Sequence, residues 1–191
     1  MESTSEFESD ILEIIKSRRS RRAYADKPVE KEKIKSLFEA ARWAPSSVNE
    51  QPWLYIYATK DQRLWKEIFE CLNESNKIWA KDAPLLVVSL SRKNHSKNGA
   101  LNPAAKYDVG AANAFLTLQA TQLGLNTHQM GGFNQQILRQ NLHIPEEFDT
   151  DVIIAVGYLG DTKQLPLHLQ GREISPRLRK TQKEFVMNQS F

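Results

Sequence analysis

"PLLVVSL", residues 84–90, is a short apolar run opened by a proline. It reads as a buried strand. Two other stretches read the same way. "WLYIYAT" (53–59) is rich in aromatic and β-branched residues, and "DVIIAVGYLG" (151–160) is the third strong strand. Helical patterns separate them. Phe7, Ile11, Ile14 and Ile15 are apolar at helical spacing over 7–18, and Ile34, Leu37, Phe38 and Ala41 repeat the pattern over 30–43. Pro28 and Pro45 suit the boundaries of that second helix. Asp61 is placed to cap a helix running to Leu72. Pro103 to Leu123 is the longest helical candidate, with Pro103 in its first turn and Gly124 at its C-terminal cap. Its "GAANA" (110–114) predicts close approach of another backbone. Asn134 is placed to cap a short helix through Leu142. The order is two helices, strand, helix, strand, long helix, short helix, strand and a tail. Helices over a central sheet follow, in an α/β or α+β arrangement.

The chain has 191 residues, enough for one domain with a sizeable core. No repeat, low-complexity tract or linker divides it. Residues 161–191 lack a strong apolar period, so this tail is expected to be disordered or held by something outside its own fold, such as a partner subunit. The formal net charge is only +3. That argues against a protein basic over a whole face, as a dedicated nucleic-acid binder is. One cysteine, Cys71, forbids an intramolecular disulfide and fits a reducing compartment. The acidic N-terminus lacks the features of a secretory signal. No apolar run approaches the roughly 20 residues of a membrane span. A cytoplasmic protein with no membrane partner is expected.

Four stretches can carry chemistry. "KSRRSRRAY" (16–24) puts five cations into seven residues, Lys16 to Arg22. It can hold a phosphate through arginine forks, track a nucleic acid, satisfy a helix C-terminus or keep a surface wet. "APSSVNEQPW" (44–53) offers Ser46, Ser47, Asn49 and Gln51 between two prolines. Such a rigid, uncharged loop is either a polar turn or a contact for a heteroaromatic ligand. "HQMGGF" (128–133) contains Gly131 and Gly132, which allow positive φ and close approach of a ligand to the backbone, or form a plain turn. "SPRLRK" (175–180) sets Arg177 and Arg179 on one side of an extended chain. They either form a second part of an anion site or belong to a solvated tail. There is no GxGxxG and no P-loop. The four histidines show no metal-ligand spacing, so no metal is expected. Nothing points to a hydrolytic triad.

In this order the stretches resemble the FMN-dependent nitroreductase family. The match runs through "RRSRRAY", "ARWAPSSVNEQPW", "NKIWAKDAPLLVV" (76–88), "GAANAFLTLQATQLGLNTHQMGGF" (110–133), "VIIAVGYLGD" (152–161) and "PRLRK". The resemblance implies an α+β fold: a central, mostly antiparallel sheet sandwiched by helices. It implies one domain over 1–191, with 161–191 packing on the partner of an intertwined homodimer. It implies one FMN at each of two sites between subunits, with NADH or NADPH as reductant. By motif position, Arg18, Arg19, Ser20 and Arg22 match residues that grip the phosphate and ring edge. Pro45, Ser46, Ser47 and Asn49 match a loop arriving from the other subunit, with Gln51 close by. Asn76 matches a polar residue near the flavin. Gly131 and Gly132 match the backbone pair beside flavin N5, and Arg177 and Arg179 a basic pair closing on the phosphate. Lys16 and Arg21 are left to solvent.

The activity so implied is that of an NAD(P)H-dependent FMN oxidoreductase. A hydride passes from NAD(P)H through flavin N5 to a nitroaromatic, quinone or similar small acceptor in ping-pong fashion, with no side chain as catalytic acid or base. Two departures bear on the substrate: Gly131 stands where relatives often carry an acid, and 92–102 is short where larger relatives add helices. The alternatives are an FMN-binding member with another role, in dehalogenation, flavin breakdown or cofactor handling, and a non-catalytic anion- or nucleic-acid-binding module.

Overall fold

The computed structural model describes residues 3–190; Met1, Glu2 and Phe191 of the expected 1–191 domain lie outside the described residues. Four strands form the central sheet: β2 (Trp53–Thr59), β3 (Leu85–Arg92), β4 (Asn126–Met130) and β5 (Phe148–Gly157). Their order is β2-β3-β5-β4, and every neighbouring pair is antiparallel. Residues 84–90 therefore sit in a central strand. Leu85 to Leu90 of β3 are buried on both faces, which is why the run is apolar rather than alternating.

Alternation along the strands divides the core in two. Leu85, Val87, Ile154 and Val156 face α2 (Lys31–Arg42) and α5 (Ala105–Gln122), where Leu37, Ala112 and Leu116 pack on them. Leu86, Val88, Ile153 and Ala155 face the other way, onto α3 (Arg63–Glu70), α4 (Glu74–Ala80) and α6 (Gln135–Asn141). Trp65, Ile68, Trp79 and Leu138 fill that side. The result is the expected α+β sandwich. The β3–β5 register slips between Ser89 and Leu90, which leaves Asp151 unpaired as an extra residue on β5.

The helix ends follow local chemistry. At the end of α5 the Leu125 N–H donates to Ala120 O (2.8 Å) and the Gly124 N–H to Thr121 O (3.1 Å). Gly124 takes φ +74°, so the glycine is required there. Asn134 caps α6 by accepting from the Ile137 N–H at 3.0 Å. The cap of α3 differs from expectation. Gln62, not Asp61, holds the N-cap position, and its side chain turns back to accept from the Thr59 N–H at 2.9 Å.

Three further differences matter for the site. The helix expected over 7–18 is only α1 (Glu13–Ser17), and Phe7, Ile11, Leu12 and Ile15 stay exposed. Residues 3–12 instead run as an arm whose first strand, β1 (Ser3–Thr4), pairs with β6 (Arg179–Lys180). The tail has structure of its own: α7 (Leu167–Ile174) buries Leu169 and Glu173. Gly110 meets nothing within 4 Å among the described residues, whereas Ala112 and Asn113 of "GAANA" are buried.

Leu116 is fully buried between α5 and the sheet. Leu116→Ala is expected to cost about 2–5 kcal/mol of stability through lost contacts and a cavity, read as a lower urea midpoint at unchanged slope.

Candidate functional site

After α1 the chain runs along the outer edge of β4. Ser20 bridges to Thr127, and Tyr24 bridges to Leu159 beyond β5. Tyr24 is buried, its hydroxyl donates to Ala155 O at 3.1 Å, and its backbone lies where a Cβ on Gly160 would clash. The segment 18–24 is thus fastened at its far end, and its arginines project from a fixed edge.

The tail meets them there. Alternate side chains, Arg19 and Arg21, donate to the carbonyls of Ser175 and Glu173. In return Arg177 donates to Arg18 O (2.6 Å) and to Lys16 O. Each segment supplies guanidinium groups to the other's backbone. Arg21 is therefore not left to solvent, because the carbonyl of Glu173 takes it. Lys16 is neutralised by Asp10 (3.0 Å) and Glu13 (2.7 Å). The reason is tertiary: α7 lays the tail beside the arm.

The cluster is short of negative charge. Among the described residues no carboxylate forms a salt bridge with Arg18, Arg19, Arg177 or Arg179; only Arg22 has one, to Glu173 at 3.4 Å. Among the described residues the Arg18 guanidinium has a single hydrogen-bond partner, Ser20 Oγ at 3.5 Å. Burial, then the charges of Arg179 and Arg19, pull its pKa down. Burial, followed by Arg18, Arg19 and Arg179, does the same to Arg177. An anion would relieve both. The arginines line a cleft of about 530 Å³ together with the apolar Phe7, Ile11, Ile15 and Phe185 and the carboxylates Glu6 and Glu8.

A second group of predicted residues lies at the other end of β4. Gly132 O accepts from Asn76 Nδ2 (2.9 Å) and from the Asn73 N–H (3.0 Å). A Cβ on Gly132 would come within 2.9 Å of Asn76 Nδ2, whereas Gly131 faces open space. Neither glycine takes positive φ; among the described glycines only Gly99 and Gly124 do. The positive φ that these glycines allow is not used, and Gly132 is needed for the close approach of the asparagines. Asn76 holds this turn by its carbonyl.

The loop at 44–52 is not brought to the arginines. It precedes β2, at the opposite edge of the sheet from β4. Three strand spacings of about 4.8 Å put roughly 14 Å between those edges. The loop is nevertheless held tightly. Val48, Asn49 and Gln51 sit at φ 48°, 56° and 52°. Such left-handed conformations cost non-glycine residues about 1–3 kcal/mol each. Ser46 Oγ accepts the Gln51 N–H (3.0 Å) and Asp108 Oδ2 accepts the Ser47 N–H (3.0 Å). Glu50 accepts from the Ser96 N–H (2.6 Å) and contacts His95 Nδ1 (3.3 Å). Among the described residues neither the Ser47 hydroxyl nor the Asn49 amide is used. Pro45 is exposed at the loop's start.

Three residues escaped the sequence reading. Asp108 and Glu173 are 3% and 2% exposed. The signal was present: each is an acid four residues from a buried apolar position of its helix, Asp108 from Ala112 and Glu173 from Leu169. His128 lies under the arginine segment, with Nδ1 3.2 Å from Arg21 O and its ring 4.6 Å from that of Trp79. Nothing in "HQMGGF" marks it as buried.

Comparison with known proteins follows this geometry. The model of the Nitroreductase family matches residues 15–158. A solved structure described as an oxidoreductase containing FMN superposes with a TM-score of 0.93 at 34% identity, over 97% of this chain and 95% of the other. A Methanothermobacter thermautotrophicus protein bearing the name NADH dehydrogenase/NAD(P)H nitroreductase is 30% identical over 78% of this chain and 77% of its own. The FMN reductase [NAD(P)H] of Bacillus subtilis is 27% identical over 72% of this chain and 61% of its own.

Burial, then the charge of Arg22, pushes the His128 imidazole down to about 4. The native state thus keeps it neutral where the unfolded chain binds a proton. Its contribution is full above about pH 6.5 and is lost as pH falls toward 4, by roughly 3 kcal/mol. Burial pushes Asp151 up to about 6, which has the opposite sign: its contribution falls as pH rises toward 6. The difference between proteins isolates the histidine. Denaturant curves at pH 7 and 4 are expected to show wild type losing more stability on acidification than His128→Gln.

Proposed function

We propose a function from one premise: this chain belongs to the nitroreductase family. It is an NAD(P)H-dependent flavin oxidoreductase with FMN as its cofactor. It works as a homodimer on an electron-poor small acceptor such as a nitroaromatic or quinone. The observation that carries the reading is the convergence of Arg18, Arg19, Arg177 and Arg179, about 160 residues apart in the chain, with no salt bridge to any of them among the described residues.

The donor set fits the cofactor. A phosphate dianion suits guanidinium groups that form no salt bridge among the described residues, and Phe7, Ile11, Ile15 and Phe185 in the same cleft suit an uncharged, mostly apolar body. Arg18, Ser20 and Arg179 would hold the phosphate, with Arg19 and Arg177 tying the arm to the tail beside it. Bound FMN supplies the redox chemistry, accepting a hydride from NAD(P)H and delivering it to the acceptor.

The chain's own residues orient and enclose. Asn76 and Asn73 pin the Gly132 carbonyl, so the backbone of 131–132 is fixed. The open space at Gly131 lets a ring approach that backbone without meeting a side chain. His128, held neutral and tied to Arg21 O, is a support for the arginine segment rather than a proton donor. The loop 44–51 lies at the far edge of its own sheet, so its Ser47 and Asn49 side chains would serve the site of a second copy. Its strained shape is set in advance by Asp108 and Ser46, which lowers the ordering cost of reaching across. The exposed Tyr107 and Phe115 of α5 and the apolar arm are surface for that copy to cover.

Freshly purified protein is expected to be yellow, to release FMN on denaturation and to oxidise NADH or NADPH with a nitroaromatic or quinone acceptor. Colourless protein that takes up no added FMN sinks the reading. Arg18→Ala is expected to weaken FMN binding by about tenfold or more. Its stability should shift by no more than about 0.5 kcal/mol, since among the described residues the guanidinium bonds only to Ser20. Unchanged FMN affinity in this variant removes Arg18 from the phosphate site.

A further inference from the structure

Glu173 stands apart in a site otherwise made of cations. Its side chain is 1% exposed, and it is the single carboxylate paired with any arginine of 18–22 or 177–179 among the described residues. Both of its oxygens serve Arg22. Oε2 accepts the Arg22 N–H at 3.2 Å, and Oε1 lies 3.4 Å from the guanidinium. The carbonyl of the same residue takes the guanidinium of Arg21. A buried carboxylate is costly unless closely paired, and both contacts exceed the roughly 2.7–2.9 Å of an optimal charge-assisted bond. The pair is poorly built for stability alone. It is well built for placement, because one oxygen fixes the main chain of Arg22 while the other aims its side chain.

We infer that Glu173 is a positioning residue for the cofactor site: it sets Arg22 and the main chain of 20–22 in the place from which FMN is held, and locks α7 to that segment. The inference rests on the FMN reading above. It assigns the arginines different parts. Arg22 is neutralised and aimed, while Arg18 and Arg179 keep their charge for the phosphate. It also gives α7 a role in the site, so that cofactor retention and tail order rise and fall together.

The experiment compares full-length wild type, Glu173→Ala and Glu173→Gln. FMN affinity is measured by fluorescence titration of flavin-stripped protein, and backbone order by hydrogen exchange. Glu173→Ala is expected to weaken FMN binding by at least about tenfold and to speed exchange over 20–24 and 167–175. The glutamine amide oxygen still accepts the Arg22 N–H, so Glu173→Gln is expected to restore affinity to within about threefold of wild type. Two results overturn the inference: FMN binding by Glu173→Ala equal to wild type, or equal losses in both variants alongside equal losses of thermal stability, which is the mark of a merely structural role. Wild type that takes up no FMN overturns the functional reading itself, and is distinct from an FMN-binding wild type with an indifferent Glu173→Ala.

Discussion

The interlock between 16–22 and 173–179 is the contact on which the site depends. Arg19 and Arg21 reach the carbonyls of Ser175 and Glu173, and Arg177 reaches those of Lys16 and Arg18. Carbonyls are neutral acceptors, so these bonds fix the guanidinium groups in place without cancelling their charge. A carboxylate at each position would have held the segments as well and left no field for an anion. Among the described residues the one carboxylate that forms a salt bridge with these arginines, Glu173, meets Arg22 and not Arg18 or Arg179.

The sheet supplies the second constraint. Its order, β2-β3-β5-β4, sends the arginine segment to one edge and the polar loop to the other. The interior between them is filled, with Leu85 to Leu90 and Ile153 to Val156 buried on both faces. No side chain of the loop can reach the arginines of its own chain across such a core. The loop is still built as a finished part. Asp108, Ser46 and Glu50 hold three left-handed residues in place, and Val48 is 82% exposed. Strain held in an exposed loop is characteristic of a segment that meets something else.

Much of the fold was legible in the residues, and the reasons are local. Strong apolar runs marked β2, β3 and β5, and Gly124 and Asn134 marked helix ends because their cap chemistry acts within a few residues. Weak elements escaped. β4, "NTHQM", buries Thr127 and Met130 and half-buries Asn126 and His128, so its pattern is faint. α7 carries a glycine and a buried glutamate where an apolar residue would have announced a helix. The arm at 7–18 misled in the other direction. Its helical spacing is real, yet Phe7, Ile11 and Ile15 line a cleft instead of the core.

The sequence by itself determined helices over a central sheet, the helix ends at Gly124 and Asn134, the concentration of arginine at 18–22 and 177–179, and the resemblance that implied an α+β sandwich and named a flavin. Those depend on residue type and on spacing along the chain, which a sequence displays. Only the tertiary structure decided what each arginine does. Among the described residues Arg18 forms no salt bridge, Arg19, Arg21 and Arg177 are tied to carbonyls, and Arg22 is claimed by Glu173. It also decided that Asn76 acts through Gly132 and that the loop belongs to the far edge. The physical reason is the same in each case. A charged or polar group is defined by its partner, and these partners lie from 56 to 161 residues away.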